Sequence, residues 1–260
     1  MTSPKLRREE IVRLATRLGS ANVEEMSAEF GVTASTIRRD LAALHAQGRL
    51  SRTYGGALGL VAHPESGFGQ RMGEAQEQKH AIARWAAAQV EPGQSLLLDG
   101  GSTVAAVAHE LRSVGDLHVT SVGLAVLAEL ADVEGIQLDS LGGRVRKGSE
   151  SLLGPLTEVA LERMTFDRLF LGADGVLAGR GICEADLEQT RLKELMAARA
   201  NTVHVLAHGA KVGASPFHAW TRLRVPWTLV TDDSAPSGAV EALIDEGVHV
   251  VVVSDGSSPL

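Results

Sequence analysis

From residue 76 onward the chain alternates short, nearly uninterrupted apolar runs with longer stretches of helical period. No other feature restricts the fold as strongly. The runs fall at 95–99 (SLLLD), 117–121 (LHVTS), 136–142, 168–174 (RLFLGAD), 202–207, 228–232 and 249–255. Helical segments are predicted between them at 76–90, 103–112, 123–131, 152–163, 186–200 and 236–246. A strand that is apolar at every position, rather than at alternate ones, is buried on both faces. Strands separated by helices then imply a mainly parallel sheet covered by helices on both sides.

Residues 1–57 have a different texture. In 5–18, Leu6, Ile11, Leu14, Ala15 and Leu18 are expected on one helical stripe that Gly19 ends. A short helix over 23–30 turns Val23, Met26 and Phe30 inward and breaks at Gly31. A third begins after Thr33, whose hydroxyl caps it, and buries Ile37, Leu41 and Leu44. RLSRTYGGA (49–57) reads as a small hairpin. Residues 58–75 carry glycines and a proline without a sustained period and are expected to be a linker. The predicted organisation is therefore a small module at 1–57, a linker at 58–75 and a larger α/β domain at 76–260.

Charge separates the two parts. The chain as a whole carries -7, yet residues 1–56 hold nine Lys/Arg against six Asp/Glu, a net +3, and the remainder carries -10. A basic module suits nucleic acid, while an acidic remainder stays off the duplex. The lone Cys183 cannot form an internal disulfide. The N-terminus lacks the apolar core of a signal peptide, and the stretch 119–130 is too short and interrupted to span a bilayer. The expectation is a cytoplasmic protein without membrane contact.

With Ile37, Leu41 and Leu44 inward, the helical step of about 100° places Ser35, Arg39 and Ala42 on the opposite face, flanked by Arg38 and Ala43. Small side chains allow close approach to a groove, and an arginine can fork onto a guanine or clamp a phosphate. Ser35 and Thr36 at the helix start suit a phosphate contact. Arg49, Arg52 and Tyr54 of the hairpin are candidates for the adjoining backbone. Asp40, beside the inward row, is expected to pair with Arg38, Arg39 or an arginine of the first helix.

In the larger part, DGGST (99–103) links an apolar run to a helix. Gly100 and Gly101 can bring backbone N–H groups around an anion, with Ser102 and Thr103 adding hydroxyls. The carboxyl end of a strand is where open sheets place ligands. The turn at 141–154 supplies Gly142, Gly143, Arg144, Arg146 and Lys147, and Asp174 ends a further run. Phosphate fits the donors, and Asp99 and Asp174 suit a polyol. Neither GxxxxGK[ST] nor a clean GxGxxG follows a strand, so no nucleotide cofactor is expected. His204 and His208 lie four apart on a strand, about 13 Å between Cα atoms, too far to share a metal ion; His218 lies in a loop.

GVTASTIRRDLAAL (31–44) followed by RTYGGA (52–57) resembles the winged helix-turn-helix of the DeoR family of bacterial transcription regulators. LLLDGGSTVAAVAHEL (96–111), LGGRVRKGSESLLG (141–154) and FLGADGV (170–176) resemble the sugar-phosphate sensor domain of the same family, which is similar in fold to ribose-phosphate isomerase. The resemblance places Thr36, Arg38 and Arg39 in the reading helix, and Asp99, Gly101, Ser102, Thr103, Gly142, Gly143, Asp174, Lys193 and Lys211 in the effector pocket. Two positions depart from the family pattern: His208 stands where an Asp is usual, and Ser121 where an Asn is usual. The resemblance implies a repressor that is no enzyme, binds double-stranded operator DNA as a homo-oligomer, dimer or tetramer, and responds to a phosphorylated sugar or related metabolite. The alternative is an isomerase-like enzyme for sugar phosphates with an appended DNA-binding module.

Overall fold

A computed structural model describes residues 4–18, 20–46, 50–53, 56–59 and 65–254. The chain divides into two units between Pro64 and Glu65, with residues 214–217 counted in the first. Each is described by itself.

The first unit holds α1 (Pro4–Leu18), β1 (Ser20–Asn22), α2 (Val23–Phe30), α3 (Ala34–Ala46), β2 (Leu50–Thr53) and β3 (Gly56–Gly59). Asn22 caps α2 by accepting the Glu24 N–H at 2.9 Å. Gly31 ends it at φ +60°, a conformation that favours glycine. Thr33 then caps α3 through the Thr36 N–H. Ile11, Val12, Leu14, Val23, Met26, Ile37, Leu41 and Leu44 form the core, as the period of α3 requires. The expected hairpin is present as β2 and β3, and β3 also pairs with β1, a strand too short to leave a periodic signature.

One inward position is corrected. Leu6 is 57% exposed, and Arg7 takes the buried place one turn before Ile11. Asp40 is the reason. Its two oxygens accept from Arg7 Nε and Arg8 Nε at 2.7 Å each, so α3 holds the charged start of α1 against itself. Ala15 and Leu18 fall on side chains outside the described residues.

The second unit contains α4 (Phe68–Gly73), α5 (Gln76–Ala88), β4 (Ser95–Leu98), α6 (Ser102–Leu111), β5 (Leu117–Ser121), α7 (Leu124–Leu130) and β6 (Ile136–Ser140). A hairpin of β7 (Arg144–Arg146) and β8 (Ser151–Leu153) and then α8 (Pro155–Leu161) lead to β9 (Phe166–Gly172). The chain continues through β10 (Gly175–Leu177), β11 (Gly181–Glu184), α9 (Leu187–Ala197), β12 (Ala200–Leu206), β13 (Ala219–Thr221), β14 (Thr228–Asp232), α10 (Ser237–Asp245) and β15 (His249–Val253). All seven predicted strands join one sheet, ordered β15-β14-β12-β9-β4-β5-β6, and every pairing in it is parallel.

Successive buried side chains along these strands face opposite sides of the sheet. Leu97, Leu169, Leu171, Val205 and Leu229 face one core with Leu161, Leu192, Met196 and Leu243 of α8, α9 and α10. Leu96, Leu98, Phe170, Leu206 and Val230 face the other with Ile82, Val107, Leu111 and Leu130 of α5, α6 and α7. Each such aliphatic side chain contributes roughly 1.5–3 kcal/mol when fully buried, which fixes the register of helices on both faces.

Two expectations fail locally. Residues 58–75 do not read through as an aperiodic linker, because 56–59 is strand and 68–73 is the helix α4, with Phe68 and Arg71 buried. A helix of six residues that includes two glycines is too brief to show a period. The small antiparallel pieces β7–β8 and β10–β11–β13 also escaped the sequence, since strands of three or four residues carry hardly one full alternation. Among the described residues no helix is long and apolar enough to cross a membrane.

Candidate functional site

The exposed face of α3 is assembled as the helical step requires. Ser35, Arg38, Arg39 and Ala42 are exposed, Thr36 is half-buried, and the Thr33 hydroxyl lies 2.8 Å from that of Ser35 and 3.0 Å from that of Thr36. Asp40 is already taken by Arg7 and Arg8, so it leaves Arg38 and Arg39 to the solvent. Arg49 and Tyr54 lie outside the described residues, as does the side chain of Arg52 on β2.

In the second unit the strand order creates a second site. From β4 the chain steps outward to β5 and β6, then returns to place β9 on the other side of β4. Loops leaving the carboxyl ends of β4 and β9 therefore diverge, and a cleft opens between them. It is narrow, with a cavity volume of about 30 Å³, partly open to solvent, and is lined by Gly100, Gly101, Ser102, Thr103, Asp174, Lys193 and Lys211, together with residues from α4, β11 and the β7–β8 turn.

Both glycines of the β4 loop are needed, for different reasons. A Cβ on Gly100 would stand 1.9 Å from the Ser151 hydroxyl oxygen, so the loop could not pack against β8. Gly101 sits at φ +115°, and its missing Cβ faces open space. Gly101 caps α6 without a side-chain hydrogen bond, and Ser102 and Thr103 follow, both buried. Unsatisfied amide donors at a helix start attract an anion.

Under the cleft lies a buried charge cluster. Lys193, 1% exposed, places its ammonium 3.0 Å from Asp99 Oδ2, donates to the Gly172 carbonyl at 3.0 Å and pairs with Glu184. Asp99 also accepts the Gly172 N–H at 3.0 Å, tying the ends of β4 and β9 together. Burial pushes Glu184 up to about 8, only partly offset by Lys193. Burial works against the Lys193 ammonium as well, but Asp99 and Glu184 outweigh it and raise its pKa. Because two carboxylates share one lysine, we read Lys193 as charged and Glu184 as the member that most readily takes a proton. Lys211, on the turn after β12, donates to the Ala173 carbonyl and stands 3.8 Å from Asp174; burial lowers its pKa.

Other predicted residues lie elsewhere. Gly142 and Gly143 form a turn against α8: the Gly142 carbonyl accepts from the Thr157 hydroxyl at 2.6 Å, and a Cβ on Gly143 would stand 2.4 Å from that same oxygen. Arg144 is exposed and pairs with Glu188. Ser121 is fully buried, donating to the Leu98 carbonyl at 2.9 Å and accepting the Gly123 N–H at 3.0 Å. His208 begins the turn that carries Lys211, and burial with the nearby Lys211 and Lys79 charges lowers it to about 4. His204 is buried between Trp85 and Phe170. Among the described residues no group of three His, Cys, Asp or Glu is arranged to hold a metal ion.

Sequence reasoning missed Glu65, Arg71, Ser149 and Glu184 as lining residues. Arg71 was hidden in the supposed linker, and Glu184 is brought in by a strand of four residues.

Comparison with known proteins agrees with this division. Residues 7–60 match the DeoR-like helix-turn-helix domain, and residues 74–233 match the DeoR C terminal sensor domain. The HTH-type transcriptional regulator GlpR of Haloferax volcanii is 30% identical over 95% of this chain and 97% of its own. The lactose phosphotransferase system repressor of Streptococcus mutans serotype c is 30% identical over 87% and 91%, and the glycerol-3-phosphate regulon repressor of Escherichia coli K12 is 26% identical over 92% and 95%. Ribose 5-phosphate isomerase A of Methanocaldococcus jannaschii is similar over 52% of this chain and 54% of its own, at 18% identity and a TM-score of 0.39, too slight a likeness to argue from.

Proposed function

The chain belongs to the DeoR family of transcription regulators, a helix-turn-helix and a sensor domain in one polypeptide, and on that premise we propose that it represses a carbohydrate-metabolism operon under the control of a phosphorylated sugar or related metabolite. The observation that carries the reading is the pairing, in one chain, of a helix face left open to solvent with a donor-rich cleft at the sheet's switch point. Ser35, Thr36, Arg38 and Arg39 read or clamp operator DNA, helped by Arg49, Arg52 and Tyr54. Gly101, Ser102 and Thr103 cradle the phosphate, with Lys211 as a counter-charge and Asp174 toward the polyol. Asp99 and Lys193 hold the floor. The remaining sequence candidates, Ser121, Gly142, Gly143, Arg144 and His208, support the surrounding turns.

Residues 1–57 act as the DNA-binding module, and the sensor begins at Glu65 rather than at 76, since α4 belongs to the second unit and Arg71 lines the cleft. The chain acts as a cytoplasmic homo-oligomer, because one small helix discriminates too little and paired half-sites multiply it. We read the cleft as sensing rather than catalysing, because its most buried amine, Lys193, is already engaged by Asp99, Glu184 and the Gly172 carbonyl. Filling the cleft shifts the population away from the operator-bound arrangement.

A thermal-shift screen with pentose, hexose and triose phosphates, followed by gel-shift assays on the protein's own upstream DNA, tests this directly. At least one phosphate ester should stabilise the protein by mass action and change DNA retention. Ser102→Glu and Lys211→Ala should lose that response while still binding DNA. An unaltered response in both variants would mean the effector binds elsewhere.

A further inference from the structure

Among the described residues three cations line the cleft, and they are not equally satisfied. Lys193 has two carboxylates and a carbonyl, and Lys211 has a carbonyl with Asp174 nearby. Arg71 differs. It is 9% exposed, and its guanidinium is fixed mainly by neutral acceptors, the Ser66 carbonyl at 2.7 Å and the Gly148 carbonyl at 2.9 Å. Its carboxylate partner, Glu65, is 3.3 Å away. That exceeds the 2.7–2.9 Å of a good charge-assisted hydrogen bond. Glu65 itself is better held by Arg146, which forks onto both of its oxygens. Arg71 is thus immobilised with its charge only half answered.

Next to Gly148 stands Ser149, which also lines the cleft. It is 3% exposed, and its hydroxyl has no hydrogen-bond partner. Buried hydroxyls are nearly always paired, so an orphan beside an under-neutralised arginine indicates a missing acceptor. Both residues belong at the anion end of the cleft, since α4 packs on α6 and the Ser149–Ser151 segment packs on Gly100. The local field agrees. Burial, Lys211 and Arg71 push the buried Lys79 down to about 8, while Arg146 and Arg71 hold Glu65 below its ordinary value although burial alone would raise it.

We propose that Arg71 and Ser149 bind the ligand's phosphate, which takes Glu65's place on the Arg71 guanidinium and accepts the Ser149 hydroxyl proton. This rests on the reading of the cleft as a phosphate-ester site, and it names that site's charge partner. A phosphate dianion and the Glu65 carboxylate repel each other across one guanidinium, and Glu65 keeps Arg146 when it yields. Glu65 directly follows Pro64, where the two units divide. The exchange therefore acts on the first residue of the sensor unit, at the point where the chain enters from the DNA-binding module.

Inorganic phosphate is the probe, titrated calorimetrically into the full chain at fixed ionic strength, with parallel arms of ribose 5-phosphate and glucose 6-phosphate to separate free phosphate from its esters. Ser149→Ala should weaken binding by about three- to tenfold, the value of one hydrogen bond, yet leave the phosphate-free thermal midpoint unchanged or higher, because it removes an orphan hydroxyl. A purely structural Ser149 would lower that midpoint. Arg71→Lys should weaken binding by about tenfold or more, since lysine cannot fork. Glu65→Gln should tighten it by roughly threefold or more by removing the competing carboxylate. Unchanged affinity in Ser149→Ala, or weaker binding in Glu65→Gln, overturns the assignment even if Arg71→Lys fails to fold. If neither the parent chain nor Glu65→Gln binds any probe, the cleft reading falls and takes this assignment with it. If the parent binds and the variants match it, this assignment alone fails.

Discussion

The face of α3 and the cleft of the sheet unit solve one problem in opposite ways. In the first, Asp40 is buried and consumes Arg7 and Arg8, which leaves Arg38 and Arg39 exposed. In the second, Asp99 and Glu184 are buried and consume Lys193, which leaves Arg71 fixed but under-neutralised. Each unit uses buried carboxylates to decide which cations are tied into the structure and which are left exposed or under-neutralised. The difference lies in the solvent. At α3 the remaining charge is screened and suited to a long, repeating polyanion. In the cleft it is largely desolvated and suited to one small anion.

The comparison is broken most severely by removing a buried partner. Asp40→Ala strands Arg7, and Lys193→Met strands Asp99 and Glu184; each should cost about 3–5 kcal/mol. Chemical denaturation should show the loss in the N-terminal unit for the first and in the sheet unit for the second. A loss below about 1 kcal/mol in either would mean that the pair is not structural. Next in size, Arg39→Ala should weaken operator binding by up to about 3 kcal/mol at fixed salt. Its unfolding should be unchanged, and an unaltered dissociation constant would remove Arg39 from the interface.

Acid sharpens the contrast. Burial, and then Arg168, lowers His204 from 6.5 to about 4, and its Nδ1 has no partner. The imidazole is therefore neutral in the folded protein while the unfolded chain protonates first. Its contribution is intact above pH 6.5 and lost as pH falls toward 4, about 2 kcal/mol by pH 5. His208, also lowered to about 4, acts in the same direction. Between pH 7.5 and 4.5 the thermal midpoint of the parent should fall further than that of His204→Leu; parallel curves would contradict this. The smallest effect is expected from Arg144→Ala, since both partners of the Arg144–Glu188 pair are exposed. Within about 1 kcal/mol, neither stability nor effector response should change.

Much of this was legible in one dimension. Apolar runs such as SLLLD and RLFLGAD marked the inner sheet strands because both their faces are covered, and Ile37, Leu41 and Leu44 fixed the outward face of α3 through helical period alone. DGGST marked the strand-to-helix loop that lines the cleft because its glycines and hydroxyls are contiguous. Arg71 and Glu184 were illegible because they arrive from pieces of six and four residues, and Ser149 because it lies in the β7–β8 turn, where no period develops. Leu6 was misplaced because period cannot foresee that an arginine with a buried carboxylate will take an inward seat.

The order of residues determined which segments would be helix or strand, which faces they bury, and that a basic module precedes an acidic sheet domain, since these follow from periodicity and composition within short windows. Tertiary structure alone decided the charge pairings: Asp40 with Arg7 and Arg8, Lys193 with Asp99 and Glu184, Glu65 with Arg146. Those partners lie 9 to 94 positions apart in the chain, and a Coulomb interaction depends on distance and burial, neither of which a linear string contains.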